Sequence, residues 1–142
     1  MKKLTISIKT IIIFTIVLIL TNCSNNYPPL KTVKKVDINR YLGNWYEIAR
    51  KPNLFEKNCK NVKATYSKKI NNNKEKNIIK AINKCTKIST NKTSQVLGEA
   101  YNIDKSNSKL KVSFFWPFWG NYYILILDKN YKYVVIGEPS FV

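Results

Sequence analysis

Three cysteines and eight acidic residues are the side chains most able to take part in catalysis or metal binding. The sequence contains no histidine. The usual general base near neutral pH is therefore missing, and so are the Ser-His and Cys-His nucleophile pairs. Thiols without imidazole make a poor zinc site, which normally has four ligands. The carboxylates are scattered, and no glycine-rich phosphate loop is present. The sequence therefore predicts neither an enzyme nor a metal or cofactor site.

An apolar run near the N-terminus is typical of an export signal. Lys2, Lys3 and Lys9 precede the run, which spans residues 11–20. This is too short to cross a bilayer core of about 30 Å, but it suits the apolar region of a signal peptide.

The first cysteine follows that run directly. Residues 20–23, Leu-Thr-Asn-Cys, resemble the lipobox of bacterial lipoproteins, with Asn22 at a position where Gly, Ala or Ser is usual. The resemblance implies a signal peptide at residues 1–22 and lipidation of Cys23. Because Ser24 rather than aspartate follows the cysteine, it also implies a lipid-anchored protein of the bacterial outer membrane, facing the periplasm. Plain secretion or an uncleaved anchor is the alternative.

The other two cysteines are Cys59 and Cys85. In an exported chain the surroundings are oxidising, so two remaining cysteines are most simply a disulfide.

The formal charge of +17 favours anionic partners, such as nucleic acid, a phospholipid surface or acidic ligands. Lysine supplies nearly all of it, since Arg40 and Arg50 are the only arginines. Arginine pairs bidentately with phosphates and guanine edges, so its scarcity argues against a nucleic-acid reader.

Beyond a polar, proline-bearing tether at residues 23–36, the chain has short strand-like runs separated by turn signals. Asp37 can cap a short helical turn before the first run. Seven strands are predicted in simple succession, which indicates an all-β, up-and-down antiparallel meander. Pairing the second and third strands brings the two later cysteines to the same end. The predicted strands are 45–50, 62–68, 77–85, 95–103, 109–115, 121–128 and 131–138.

Two stretches resemble the signatures of the lipocalin family. Residues 41–50, YLGNWYEIAR, contain its G-x-W motif, and residues 127–133, LDKNYKY, resemble its second signature. The adjoining stretches NVKATYS, LKVSFFWPFWG and VVIGEPS are similar to the bacterial outer-membrane, apolipoprotein D-like lipocalins. The resemblance covers residues 36–140.

The resemblance implies a lipocalin barrel at residues 37–142. The family has an eighth strand and a C-terminal helix after the stretch GEPS, whereas this sequence ends at Val142. We therefore expect a C-terminally truncated barrel with seven of the eight strands. Unpaired strand edges would favour self-association.

The signature residues are expected to be structural. Trp45 would plug the closed end of the barrel, and Gly43 would let the preceding turn pack tightly beneath it. Asp128 and Tyr131 would shape the turn before the last predicted strand.

The function implied by the resemblance is binding or carriage of small lipids, such as fatty acids or lysophospholipids, in the barrel. Side chains that alternate on the face of Trp45 are the candidates for the cavity wall. A lipoprotein that carries no ligand, or a non-functional copy, is the alternative. The candidate cavity residues are Glu47, Ala49, Ala64, Tyr66, Ala81, Asn83, Val112, Phe114 and Tyr123.

An aromatic cluster at residues 113–123 lies between the fifth and sixth predicted strands. Pro117 and Phe118 would form the turn there, which places Trp116, Phe118 and Trp119 at the rim of the open end. Aromatic rings with a polar edge suit a membrane interface, so this rim is a candidate lipid contact. Packing of the rings against neighbouring loops is the alternative.

Overall fold

The computed structural model describes residues 28–53, 56–69 and 78–139. These residues form one seven-stranded antiparallel sheet with its strands in sequence order, preceded by one short helix. The predicted all-β meander is confirmed. The elements are α1 (Ile38–Tyr41), β1 (Gly43–Tyr46), β2 (Cys59–Lys68), β3 (Ile78–Lys87), β4 (Thr93–Asn102), β5 (Lys109–Phe115), β6 (Phe118–Leu127) and β7 (Val134–Gly137).

The strand boundaries agree with the sequence-based expectation at β5 and differ most at β1, β6 and β7. β1 ends at Tyr46, and the residues that follow include an ion-pair cluster, in which Arg50 contacts Glu47 and Glu56. β6 begins at Phe118, three residues earlier than predicted. β7 begins only at Val134, since residues 128–133 form a turn.

One face of the sheet, here called the inner face, carries Trp45. Trp45 pairs with Ala64, which pairs with Asn83, which in turn pairs with Val96. The hydroxyl of Tyr66 on β2 reaches the hydroxyl of Tyr122 on β6, 3.2 Å away. A flat sheet could not bring these strands together, so the sheet curls into a half-barrel around its inner face. β1 and β7 are the edge strands, and no described strand pairs with their far sides.

The buried core lies at one end of the half-barrel. This closed end carries α1 and the β2–β3, β4–β5 and β6–β7 connections, and the other three connections surround the open end. The core cluster packs between these strands and the helix. Its buried members are Val36, Tyr41, Ile79, Ala100, Leu110 and Ile124.

The described part of the predicted tether packs against the sheet. The amide of Val33 donates to the carbonyl of Ile124 over 3.0 Å, and that of Val36 donates to the carbonyl of Ser106 over 2.8 Å. Val36 has no exposed surface. Apolar residues recur at every third position, at Leu30, Val33 and Val36, so one side of the segment is buried while its lysines face water.

The residues just before the first signature stretch contact the second signature stretch at the closed end. The carboxylate of Asp37 accepts the amide of Asn39 and caps α1. The amide of Asp37 donates to the hydroxyl of Tyr131, and the guanidinium of Arg40 lies 4.1 Å from the ring centre of Tyr131. Asp128 shapes the turn itself, because its carboxylate accepts the amides of residues 130 and 132.

Gly43 is required by its backbone conformation and not by close packing. Its φ is +109°, a region that side chains with a Cβ rarely adopt. A Cβ added there would have nothing within 4 Å. The left-handed conformation between α1 and β1 therefore explains the glycine, and the preceding turn does pack on Trp45, whose ring centre lies 5.0 Å from that of Tyr41.

Cys59 and Cys85 form a disulfide at the open end, with their Cα atoms 5.5 Å apart. This is the pairing that the sequence predicts, and it joins β2 to β3 beside a bulge in their register.

Gly98 provides a test of inner-face packing. A Cβ added to Gly98 would lie 2.5 Å from Phe114 Cδ1 and from the carbonyl oxygen of Ser113. We expect Gly98→Ala to lower the free energy of unfolding in urea by about 1–3 kcal/mol, because the ring and the neighbouring strand must move. Gly120→Ala is the matched control, since its Cβ would meet the end of the Glu138 side chain at 3.1 Å and the carbonyl oxygen of Val112 only at 3.9 Å. Equal losses in the two variants would contradict this packing.

Candidate ligand-binding site

Towards the open end the inner face carries small or partly exposed side chains. Six residues predicted to line the cavity lie on this face, and the structure adds Val96 and Gly98 to them. Phe114 extends over the space left by Gly98. The concave side of the half-barrel above the core, here called the lumen, therefore carries short side chains and two aromatic rings. The six predicted residues are Ala64, Tyr66, Ala81, Asn83, Val112 and Phe114.

Three other predicted cavity residues lie elsewhere. Glu47 follows the end of β1, and its carboxylate pairs with Arg50. Ala49 is exposed in the connection after β1. Tyr123 pairs in register with Lys109, and its ring centre lies 5.3 Å from the ammonium of Lys109. This places Tyr123 on the outer face, because Tyr122 and its partner Leu110 occupy the inner face.

The floor of the lumen is aromatic. The indole Nε1 of Trp45 donates to the carbonyl of Tyr41 over 2.8 Å, and the two ring centres are 5.0 Å apart. The ring of Tyr66 stacks on Tyr41 at 5.9 Å. The edge of Tyr66 meets Tyr122, with ring centres 6.3 Å apart. These four residues are here called the aromatic floor.

Three hydroxyl groups converge within the aromatic floor. The hydroxyl of Tyr122 lies 2.7 Å from that of Tyr41 and 3.2 Å from that of Tyr66. Burial raises the pKa of all three phenols, and for Tyr122 the two neighbouring tyrosines raise the pKa further. All three therefore keep their protons at neutral pH and can donate hydrogen bonds.

Sequence reasoning found Tyr66 but missed Tyr41 and Tyr122. β6 is apolar on both faces, so alternation cannot decide between Tyr122 and Tyr123. Tyr41 belongs to a four-residue helix, which is too short to show a helical period. The signal that could have identified Tyr41 is its position two residues before the G-x-W motif.

The predicted rim residues lie at the open end, on the β5–β6 hairpin. Trp116 is 85% exposed and Phe118 is 75% exposed. The turn consists of residues 116–117, and Phe118 begins β6 instead of lying in the turn. Trp119 packs edge-on against Tyr101 on the outer face, with ring centres 5.0 Å apart.

The predicted signal peptide and lipidation site cannot be placed in the structure. Cys23 and the predicted signal peptide lie outside the described residues. Within the described ranges no cluster of three or more cysteine, aspartate or glutamate residues could hold a metal ion. No helix in that part of the chain is long and apolar enough to cross a membrane.

The sequence model of the lipocalin-like domain family matches residues 36–141, which is most of the chain. The chain belongs to the lipocalin family. The resemblance drawn from the two signatures is thereby confirmed. Proteins of this family generally bind and transport small hydrophobic molecules and are not enzymes.

Two bacterial relatives share the same name. The chain is 38% identical over 121 residues to the outer membrane lipoprotein Blc of Citrobacter freundii and 36% identical to that of Escherichia coli K12. Each match covers 83% of this chain and 66% of the relative, so the chain spans just under two thirds of their length.

An animal relative is also similar. Apolipoprotein D of Bos taurus is 39% identical over 117 residues, covering 76% of this chain and 54% of the relative.

The three raised phenol pKa values predict an unusual alkaline titration. The chain has nine tyrosines, and unperturbed tyrosine titrates near pH 10. Since the folded state holds the protons of Tyr41, Tyr66 and Tyr122 more tightly than the unfolded state, stability falls as the pH rises above about 10. We expect part of the tyrosinate absorbance to appear only as the protein unfolds. Replacing all three by phenylalanine should remove that part.

The reference is the same protein in concentrated urea, where the folded environment is lost and tyrosinate should form in a single step. A folded protein with the same titration curve as its urea-unfolded form would show that the three hydroxyls are not buried together.

Proposed function

We propose that this lipocalin binds one single-chain lipid, a fatty acid or a lysophospholipid, in the lumen of its half-barrel. The observation that carries the proposal is the division of the inner face. Buried core residues fill the closed end, whereas the open half is lined by short, partly exposed side chains such as Ala64 and Val96. A lumen with an aromatic floor and walls that are apolar apart from Asn83 suits a hydrocarbon chain.

The proposal includes a place in the cell. The bacterial relatives are named outer membrane lipoproteins, and residues 20–23 resemble a lipobox. These two observations support cleavage after residue 22, a lipid anchor on Cys23 and a position on the periplasmic face of the outer membrane. The tether would then be short, because packing against the sheet has begun by Val33.

Blocking the lumen tests lipid binding. Val96 lies on the inner face and Gln95, its neighbour on β4, lies on the outer face. We expect Val96→Trp to weaken binding of a fluorescent fatty acid at least tenfold, because the indole takes the space of the alkyl chain. Gln95→Trp should leave the affinity unchanged, since its ring points to solvent. Mass spectrometry of lipids extracted from the purified wild type should show a bound single-chain lipid.

Absence of both bound lipid and saturable uptake in the wild type would reject the carrier function. That outcome would favour the alternative of an interaction lipoprotein without a ligand. Equal affinities of the two variants would reject the lumen as the binding site while leaving lipid binding itself intact.

The hairpin tip at the open end supports a second part of the proposal, docking on a lipid surface. Trp116 and Phe118 expose their rings beside the mouth of the lumen, at the end where a lipid would enter. The chain also carries a formal charge of +17, which attracts anionic headgroups. Trp119 is half-covered by Tyr101 and contributes less free surface.

Removing the exposed rings tests this docking. We expect Trp116→Ser with Phe118→Ser to reduce flotation with vesicles of phosphatidylethanolamine and phosphatidylglycerol several-fold, because the rings no longer insert at the headgroup level. The control is Tyr133→Ser, which removes a ring that is 67% exposed at the closed end. If both variants float like the wild type, the rings pack within the protein or stay in water, and docking is wrong.

A further inference from the structure

The aromatic floor contains more hydrogen-bond donors than it uses. Each of Tyr41, Tyr66 and Tyr122 brings one hydroxyl proton. The three oxygens make two contacts, Tyr41 to Tyr122 and Tyr122 to Tyr66. Each contact uses one proton. At least one proton therefore has no acceptor among the three hydroxyls.

Burial indicates which hydroxyl carries the spare proton. Tyr41 is only 3% exposed, so an unpaired donor there would be unfavourable. Tyr41 avoids this cost by donating to Tyr122. Tyr122 can then donate to Tyr66, and the chain of hydrogen bonds ends at the proton of Tyr66. Tyr66 lies on the inner face, so a ligand oxygen that packs onto the floor from the lumen can accept this proton.

The aromatic floor has no cationic side chain that could pair with an anionic group of a ligand. The three phenols are neutral, and no described lysine or arginine donates a hydrogen bond to them. A carboxylate or phosphate buried there would lose its hydration without gaining a cation, which is unfavourable. An uncharged oxygen needs only one donor. It can also return a hydrogen bond if it is a hydroxyl.

From this geometry we infer that the aromatic floor is a hydrogen-bonding subsite for one uncharged oxygen at the buried end of the lipid chain. The inference rests on the proposed lipid binding in the lumen and narrows its ligand class to single-chain lipids that are oxygenated at the end entering first. The charged group of such a lipid remains at the open mouth, in water and near the lysines of the outer surface.

A matched pair of ligands tests the subsite. Palmitic acid and its ω-hydroxy derivative share one carboxylate and one chain length, and differ by a hydroxyl at the far end. Their dissociation constants are measured by displacement of a fluorescent fatty acid. The quantity compared is the ratio of the two constants in each protein variant.

Phenylalanine substitutions separate the hydroxyls from the rings. Tyr66→Phe with Tyr122→Phe removes the hydroxyl at the end of the row together with its neighbour, and keeps the aromatic stack. We expect the double variant to bind the ω-hydroxy lipid about five- to tenfold more weakly, relative to palmitic acid, than the wild type does. Palmitic acid itself should bind as in the wild type. Tyr123→Phe is the control, because it removes one tyrosine hydroxyl from the outer face of the same strand. The control should keep the wild-type ratio.

Each result has a distinct meaning. An unchanged ratio in the double variant, with palmitic acid still bound, overturns the subsite and leaves lipid binding in place. Loss of palmitic acid binding by a folded double variant also overturns it, because the hydroxyls would then serve any chain. A wild type that binds neither lipid rejects the proposed function, and the subsite with it.

Discussion

The half-barrel depends on the contact between Trp45 and Tyr41. The indole of Trp45 covers the Tyr41 ring and satisfies its own N–H on the Tyr41 carbonyl, so a large apolar surface is buried with no polar atom left over. Only four positions separate the two residues along the chain. Such a close contact requires a sharp change of direction between α1 and β1, and the left-handed backbone of Gly43 provides it. The glycine and the tryptophan of the signature are thus two parts of one local structure.

Segments distant in sequence hold this local structure in place. Tyr131, in the turn before β7, hydrogen-bonds the N-cap residue Asp37 and lies against Arg40. Val36 enters the core from the other side of the helix. Stabilising contacts are therefore concentrated at the closed end, and local stability should fall towards the open end. There the disulfide between Cys59 and Cys85 restrains β2 and β3 without filling the lumen. The packing of the half-barrel is thus concentrated away from its open end.

Much of the sheet could be predicted from sequence because its strands alternate clearly. On β2 and β5, lysine, serine and threonine separate the inner residues, so Tyr66 and Val112 were assigned to the correct face. β6 carries apolar or aromatic residues on both faces, and only its pairing with β5 shows that Tyr122 points inward. Gly98 was missed for a related reason. Its requirement comes from Phe114 on the next strand, a tertiary contact with no local pattern.

The choice of tyrosine for the aromatic floor has a physical consequence of its own. Phenylalanine at Tyr41, Tyr66 and Tyr122 would bury almost the same apolar area without any hydroxyl to satisfy. The hydroxyls are tolerated because two of their three protons are hydrogen-bonded within the floor. Three oxygens in a row make only two hydrogen bonds, so the third proton has no acceptor among them. A row of donors that ends inside a closed core would be destabilising. Here the row ends at a lumen, where water or a ligand oxygen can accept the last proton. The last hydroxyl of the floor therefore needs the open space above it, because its acceptor must come from there.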